Sequence, residues 1–201
     1  MYLPTHFQET SAARISALVA DHPLAVIVGQ GADGIVANHI PLMMDRDDRL
    51  IGHVALNNDM HRILAEGAEV LAIFQGPEAY ISPNWYPSKA DTHKAVPTWN
   101  YAVVHVRGTI GFLHDAADKR RIVSRLTKMM ETRTNGADAW RMGDAPADYL
   151  AGMIDNIVGF DIAISQITAK TKAGQNKSDA DRAALAVRMD GQGKQRLIPE
   201  V

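Results

Sequence analysis

The sequence predicts a mainly β fold with peripheral helices, an α+β antiparallel barrel of Greek-key character. Three observations carry that prediction. Five to seven short apolar or alternating runs are separated by turn chemistry, as strands of a barrel or sandwich are. The runs do not alternate regularly with helical segments, which argues against a parallel βαβ sheet. Prolines at 83, 87 and 97 break residues 80–101 into a strand end, a loop and a new strand, because proline removes a backbone donor and fixes φ.

In chain order, residues 7–20 place Ala12, Ile15, Leu18 and Val19 on one helical stripe, with Thr10 or Ser11 as cap and Pro23 as stop. Residues 24–29 are a compact apolar strand, 31–34 a turn, and 35–44 the return strand of a hairpin. A charged turn at 45–49 leads to a third strand at 50–56. Asn57, Asn58 and Asp59 offer a cap to a short helix over 60–66, ended by Gly67. A fourth strand at 68–75 turns at 76–78 into the proline-rich window, whose residues 88–94 read as a polar loop. Residues 98–114 form a long strand with a bulge expected at Gly108. The clearest helix follows, capped by Asp115, with Ile122, Val123, Leu126, Met129 and Met130 on one stripe. A short helix at 146–154 and a strand at 157–169 precede a last helix from Ser178 to about Arg188. The tail from Gly191 reads as loose.

At 201 residues and 46% hydrophobic, the chain suffices for one domain over 1–201, with its C-terminal helix and tail over about 178–201. A net charge of −2 excludes a general polyelectrolyte binder of nucleic acid, so DNA contact would need a local basic patch. The absence of cysteine excludes disulfides, thiolate metal sites and cysteine nucleophiles. No basic-then-apolar leader and no long apolar run is visible, so the expected location is cytoplasmic with no membrane span.

Functional residues concentrate in the 80–101 window. Tyr80, Trp85, Tyr86, Trp99 and Tyr101 supply five of the chain's twelve aromatic rings. Two corners, 82–86 and 98–101, can close around a flat ligand, combining stacking area with polar tips. The plainer alternative is that these rings plug a barrel end. Eight histidines show no HxxxH or HExxH spacing, so no metal site is expected. No GxSxG, P-loop or GxGxxG supports acyl transfer, nucleotide hydrolysis or dinucleotide binding, and no catalytic residue is assigned. On the long helix, Arg120, Arg121 and Arg125 lie on a basic face that could touch DNA phosphates, although such faces are more often simply solvated.

Ile81-Ser82-Pro83-Asn84-Trp85-Tyr86-Pro87-Ser88-Lys89 followed by Val96-Pro97-Thr98-Trp99-Asn100-Tyr101 resembles the paired signature of the PaiB-type FMN-binding negative transcriptional regulators. These are split-barrel flavoproteins related to pyridoxamine phosphate oxidase. Residues 37–42, 52–58 and 172–182 resemble further motifs of the same family, in the same order. The resemblance implies an FMN-binding split β-barrel and a homodimer with the flavin at its interface. It also implies a role in negative control of transcription. The cofactor contacts it implies are His53, Asn58, Ser82, Trp85, Tyr86, Thr98, Trp99, Asn100, Lys172, Gln175 and Asn176. Three positions depart from the pattern: Leu56 and Lys177 each replace an arginine, and Gly174 replaces a serine. Leucine cannot offer a guanidinium fork, so the phosphate grip falls to Lys89, Lys172 or Lys177, or is weakened. The alternatives on this scaffold are an FMN-dependent oxidoreductase, including a haem-degrading one, and a degenerate site.

Overall fold

A computed structural model describes residues 1–46 and 48–198. The charged turn at 45–49 therefore contains one residue, Asp47, outside the described set, as are the last three of the tail. The elements in chain order are β1 (Gln8–Glu9), α1 (Ala12–Asp21), β2 (Leu24–Gly31), β3 (Gly34–Pro41), β4 (Met43–Asp45), β5 (Arg49–Ala55), α2 (Met60–Ile63) and β6 (Glu69–Ile81). After these come α3 (Ser88–Thr92), β7 (Thr98–Leu113), α4 (Ala116–Asn135), α5 (Ala147–Asp155), β8 (Ile157–Lys172) and α6 (Asp179–Asp190). The strands join in one antiparallel sheet in the order β3-β2-β6-β7-β8-β5-β4, with β1 paired to β8. The expected mainly β architecture with peripheral helices is what forms.

The chain packs as two compact units. Unit 1 comprises Met1–Asp21, Gln75–His105 and the described residues from Thr168, and unit 2 comprises His22–Phe74 and Val106–Ile167. In unit 2, β2 and β3 form the expected hairpin, in register from Leu24 opposite Pro41 to Gly31 opposite Gly34. β5 pairs with β8 from Arg49 opposite Ala163 to Ala55 opposite Ile157. One face of α4 closes a core: Ile122 and Leu126 pack with Ile51, flanked by Met43, Leu113 and Met129. Asp115 caps α4 by accepting a bond from the Ala117 N–H at 2.7 Å. Gly108 is a close approach of backbones, since a Cβ there would lie 2.2 Å from the Ala163 carbonyl oxygen. Among the described residues, no helix is long and apolar enough to cross a membrane.

Five expectations are corrected. The first helix begins at Ala12, because residues 8–9 instead extend the sheet as β1 beside Lys170 and Ala169. The strand expected over 35–44 divides at Leu42, whose fully buried side chain and N–H bond to the Pro23 carbonyl (2.8 Å) pull it out of the ladder. No turn forms at 76–78, where β6 runs straight through. The recorded β2–β6 register ends at Ile73, so Pro77 is not asked for a ladder donor to β2. The polar loop contains a short helix, α3, ended by His93 in the left-handed region (φ +53). The tail is held rather than loose: Leu197 is fully buried, Lys194 Nζ donates to the Glu78 carbonyl at 2.6 Å, and Arg196 pairs with Asp21.

Candidate functional site

The end of β6 and the start of β7 place Tyr80 and Trp99 in edge-to-face contact, ring centroids 5.9 Å apart at 73°. Both rings stay about half exposed, Tyr80 at 48% and Trp99 at 52%. Such an aromatic pair open to solvent is a surface that a ligand or partner can cover.

The end of β8 adds cations to the same unit. Lys170 and Lys172, two residues apart on an extended strand, project to one face. Lys170 is only 6% exposed, and its ammonium donates to the Tyr2 carbonyl at 3.2 Å. Three rings surround it, those of Tyr101, Tyr2 and Phe7, at 5.2, 5.6 and 6.0 Å from their centroids. Lys172 donates to the Thr98 hydroxyl. Burial pushes the Lys172 pKa down, Tyr101 pushes it up, and the charges of Lys170 and Lys177 push it down again, leaving it below its ordinary value. Among the described residues no carboxylate reaches either lysine. A patch of mutually repelling ammonium groups is a site prepared for an anion.

The segment after β8 grips the aromatic loop. At Gly174, φ is +86° and a Cβ would meet Leu185 Cδ1 at 2.8 Å, so glycine here has a backbone reason. Ser178 caps α6 by accepting from the Asp181 N–H at 3.3 Å. Asp181 then accepts from both the N–H (3.1 Å) and the hydroxyl (2.7 Å) of Ser88. Burial raises the Asp181 pKa, but those two bonds, the Ser178 contact and the Lys177 charge outweigh it and hold the carboxyl below its ordinary range. Lys177 Nζ lies 5.0 Å from the Tyr86 ring and the Arg188 guanidinium 5.9 Å from the Trp85 ring. Tyr86 is thereby buried, and burial followed by the Asp181 charge pushes its phenol pKa up.

The other expected cofactor contacts divide by how far their polar groups are already engaged. Asn100 is 1% exposed and its Nδ2 has no partner. Asn176 is exposed. Ser82 accepts from the Asn84 N–H at 3.2 Å, and Lys89 donates to Asn84 Oδ1. Gln175 pins its own turn, accepting from the Ala173 N–H at 2.8 Å and donating to the Thr171 carbonyl at 2.6 Å. His53 and Asn58 belong to unit 2. Asn58 is occupied at both ends, accepting from the Met60 N–H (2.9 Å) and donating to Asn38 Oδ1 (3.0 Å). His53 has a buried, unpartnered Nδ1, and burial lowers its pKa. The carbonyl of Leu56 receives the His61 ring at 3.0 Å and an Arg62 N–H at 3.2 Å.

Two arginines on the basic face of α4 are engaged by carboxylates. Arg121 (2.9 Å) and Arg125 both pair with Asp45, and Arg121 also approaches Asp118 at 3.6 Å. Burial raises the Asp45 pKa, but hydrogen bonds and charge from Arg125 and Arg121 win and hold it low. Lys119, on the same helix, is buried. Of the three arginines expected at DNA, Arg120 alone has no recorded ion pair among the described residues.

Two features escaped the sequence reading: the Asp181–Ser88 clasp and the aromatic cage of Lys170. The cage was hidden because the strand was ended at Ala169, whereas β8 continues to Lys172 and puts two lysines on one face. The clasp joins residues 93 positions apart and leaves no local signal.

Comparison with known proteins completes the picture. Residues 1–166 match the model of a family described as "Putative FMN-binding domain". The chain is 32% identical over 185 residues to the "Protease synthase and sporulation protein PAI 2" of Bacillus subtilis, covering 90% of this chain and 85% of that protein. It is likewise 32% identical over 153 residues to the uncharacterized protein YKL070W of Saccharomyces cerevisiae, covering 65% of this chain and 89% of that one. Among solved structures it is similar to an FAD and heme binding protein from Mycobacterium smegmatis, with a TM-score of 0.63, 20% identity, and coverage of 88% and 79%. It is also similar to the flavocytochrome Anf3 of Azotobacter vinelandii, with a TM-score of 0.64, 13% identity, and coverage of 90% and 78%. At those identities the structural likeness speaks to the fold. The family match and the PAI 2 relationship together settle kinship: the chain belongs to the PaiB-type FMN-binding domain family, with its split-barrel fold and FMN as cofactor.

Proposed function

We propose that FMN is held on the sheet face of unit 1 and that a second copy of the chain covers it, making the protein a homodimeric flavin-dependent regulator of the PaiB type. One observation carries this reading: an exposed aromatic pair, Tyr80 and Trp99, shares a unit with lysines that have no carboxylate partner. The residues present fit the cofactor. Trp99 and Tyr80 offer a face to the isoalloxazine, and Lys172, Lys170 and Lys177 offer charge to the phosphate. Asn100, with its unpartnered Nδ2, and Asn176 offer amide groups to the pyrimidine edge. Thr98 accepts from Lys172, the Tyr86 ring lies beside Lys177 and Gln175 pins the turn next to Asn176, while Trp85, Ser82 and Asn58 are engaged locally. A half-exposed aromatic face covered by a second copy also supports the dimer.

FMN would supply reversible electron and hydride transfer when bound. The protein's own residues would grip the phosphate, exclude water from the ring and hold its orientation. The relative's name, a protease synthase and sporulation protein, supports a regulatory output. The test is FMN titration followed by absorbance and sedimentation. Trp99→Ala and Lys172→Met should each weaken FMN binding while leaving the fold intact. Full FMN affinity in both variants would end the proposal.

The second reading, an FMN-dependent oxidoreductase, is favoured by the Asp45 clamp, which removes Arg121 and Arg125 as free phosphate contacts. Anaerobic bleaching of the flavin by NADH or NADPH supports turnover. A flavin that stays oxidised in their presence, in a protein retaining DNA in a salt-dependent way, supports the regulator.

A further inference from the structure

Unit 1 also contains a cavity of about 510 Å³. We propose that it binds a small carboxylate with an apolar body, such as a short fatty acid. The inference stands whether or not the flavin reading does.

Size and wall chemistry carry the argument. The space opens to solvent past exposed His6, Gln8 and Arg14, and its volume falls within the several-hundred-Å³ range typical of ligand pockets. One wall is apolar, formed by Ile15 and Leu18 of α1 against Ala102 and Ala169 of the sheet. The charged lining is Arg14, Arg196 and Lys170 against a single carboxylate, Glu9. Glu9 is already engaged, 2.7 Å from Arg14 Nε and accepting from the Ser11 N–H at 2.8 Å. Arg14 pairs with Glu9 and Arg196 with Asp21. A guanidinium carries five donors, so one such contact positions it without exhausting it.

The cavity shares Lys170 and Gln175 with the proposed flavin contacts but lies away from the aromatic face. Tyr80, Trp99, Tyr101 and Lys172 do not line it, and none of the rings caging the Lys170 ammonium does. Its rim includes the C-terminal turn that carries Arg196. Burial of Leu197 and the Lys194–Glu78 bond hold that turn in place. The tail therefore carries one of the cations that would read a carboxylate.

The experiment titrates the FMN-loaded full chain with octanoate, and with neutral octanamide as the matched control, by calorimetry and saturation-transfer NMR. One octanoate per chain should bind with a Kd of about 1 mM or tighter, and octanamide about tenfold more weakly or worse. Ile15→Trp should abolish octanoate binding by filling the space. Arg196→Gln and Arg14→Gln should weaken it about tenfold each while flavin absorbance is unchanged. Should Ile15→Trp fail to fold, the two arginine variants still decide. Equal affinity for octanamide, unchanged octanoate binding in both arginine variants, or no saturable binding up to about 10 mM would each overturn the assignment.

Discussion

Two groups of basic residues in this chain meet opposite fates. On α4 of unit 2, Arg121 and Arg125 converge on Asp45, whose carboxyl they keep ionised. On β8 of unit 1, Lys170 and Lys172 have a carbonyl, a hydroxyl and aromatic rings around them but no carboxylate. A count of cations along the sequence makes α4 look the better anion site. Charge balance in space reverses that ranking, because a shared carboxylate weakens the field an anion meets at these two arginines, whereas a lysine with no carboxylate beside it gains most from an incoming anion.

The largest effect that can break this contrast is on FMN affinity. Replacing Lys170 and Lys172 together with methionine removes two charged contacts worth about 1.5–3 kcal/mol each, so the Kd should rise about a hundredfold or more. Fluorescence quenching of FMN measures it. Arg121→Gln with Arg125→Gln should leave the Kd unchanged, and an equal loss there would erase the distinction. Next in size is Asp181→Asn. A buried carboxylate accepting two bonds from Ser88 becomes an amide, at a cost of about 1–3 kcal/mol by denaturant unfolding. Because the folded pKa of Asp181 is depressed, its contribution is complete above the unfolded value of about 3.9 and is lost as pH falls through the folded value. The variant should therefore lose part of the stability the wild type has at neutral pH and differ little from it in strong acid.

What the sequence disclosed and what it hid follow from the range of the interactions. The β2–β3 hairpin, the Asp115 and Ser178 caps and the α4 stripe were legible, since periodicity and capping act within a few residues. The aromatic corners were legible as a group. Which ring stays open was not, because Tyr86 is buried by Lys177 and its neighbours, about 90 positions away. Likewise nothing near Arg121 announces Asp45, 76 positions earlier. The extension of β8 to Lys172 was missed because Thr168 to Lys172 alternates small and charged residues, a weak strand signal until β1 pairs beside it.

Asp45→Asn sharpens the contrast from the other side. The pair is partly exposed, Arg121 at 42% and Arg125 at 40% against 14% for Asp45, so solvent screening limits the stability loss to about 1 kcal/mol or less. Its use is as a release. If the α4 arginines can serve DNA at all, freeing them should increase salt-sensitive DNA retention, and adding Arg120→Gln should reverse the gain. Unchanged retention would remove α4 from consideration.

The smallest effect concerns the unpartnered imidazole of unit 2. Burial keeps the folded pKa of His53 below its unfolded value of about 6.5, so the unfolded chain binds the proton more readily. Stability linked to His53 is therefore complete above about pH 6.5 and declines as pH drops through the folded value. His53→Gln keeps a polar group on β5 but cannot titrate, so its unfolding free energy should be flatter than that of the wild type across that window. A variant whose slope is as steep as that of the wild type would show that this imidazole carries none of the pH dependence.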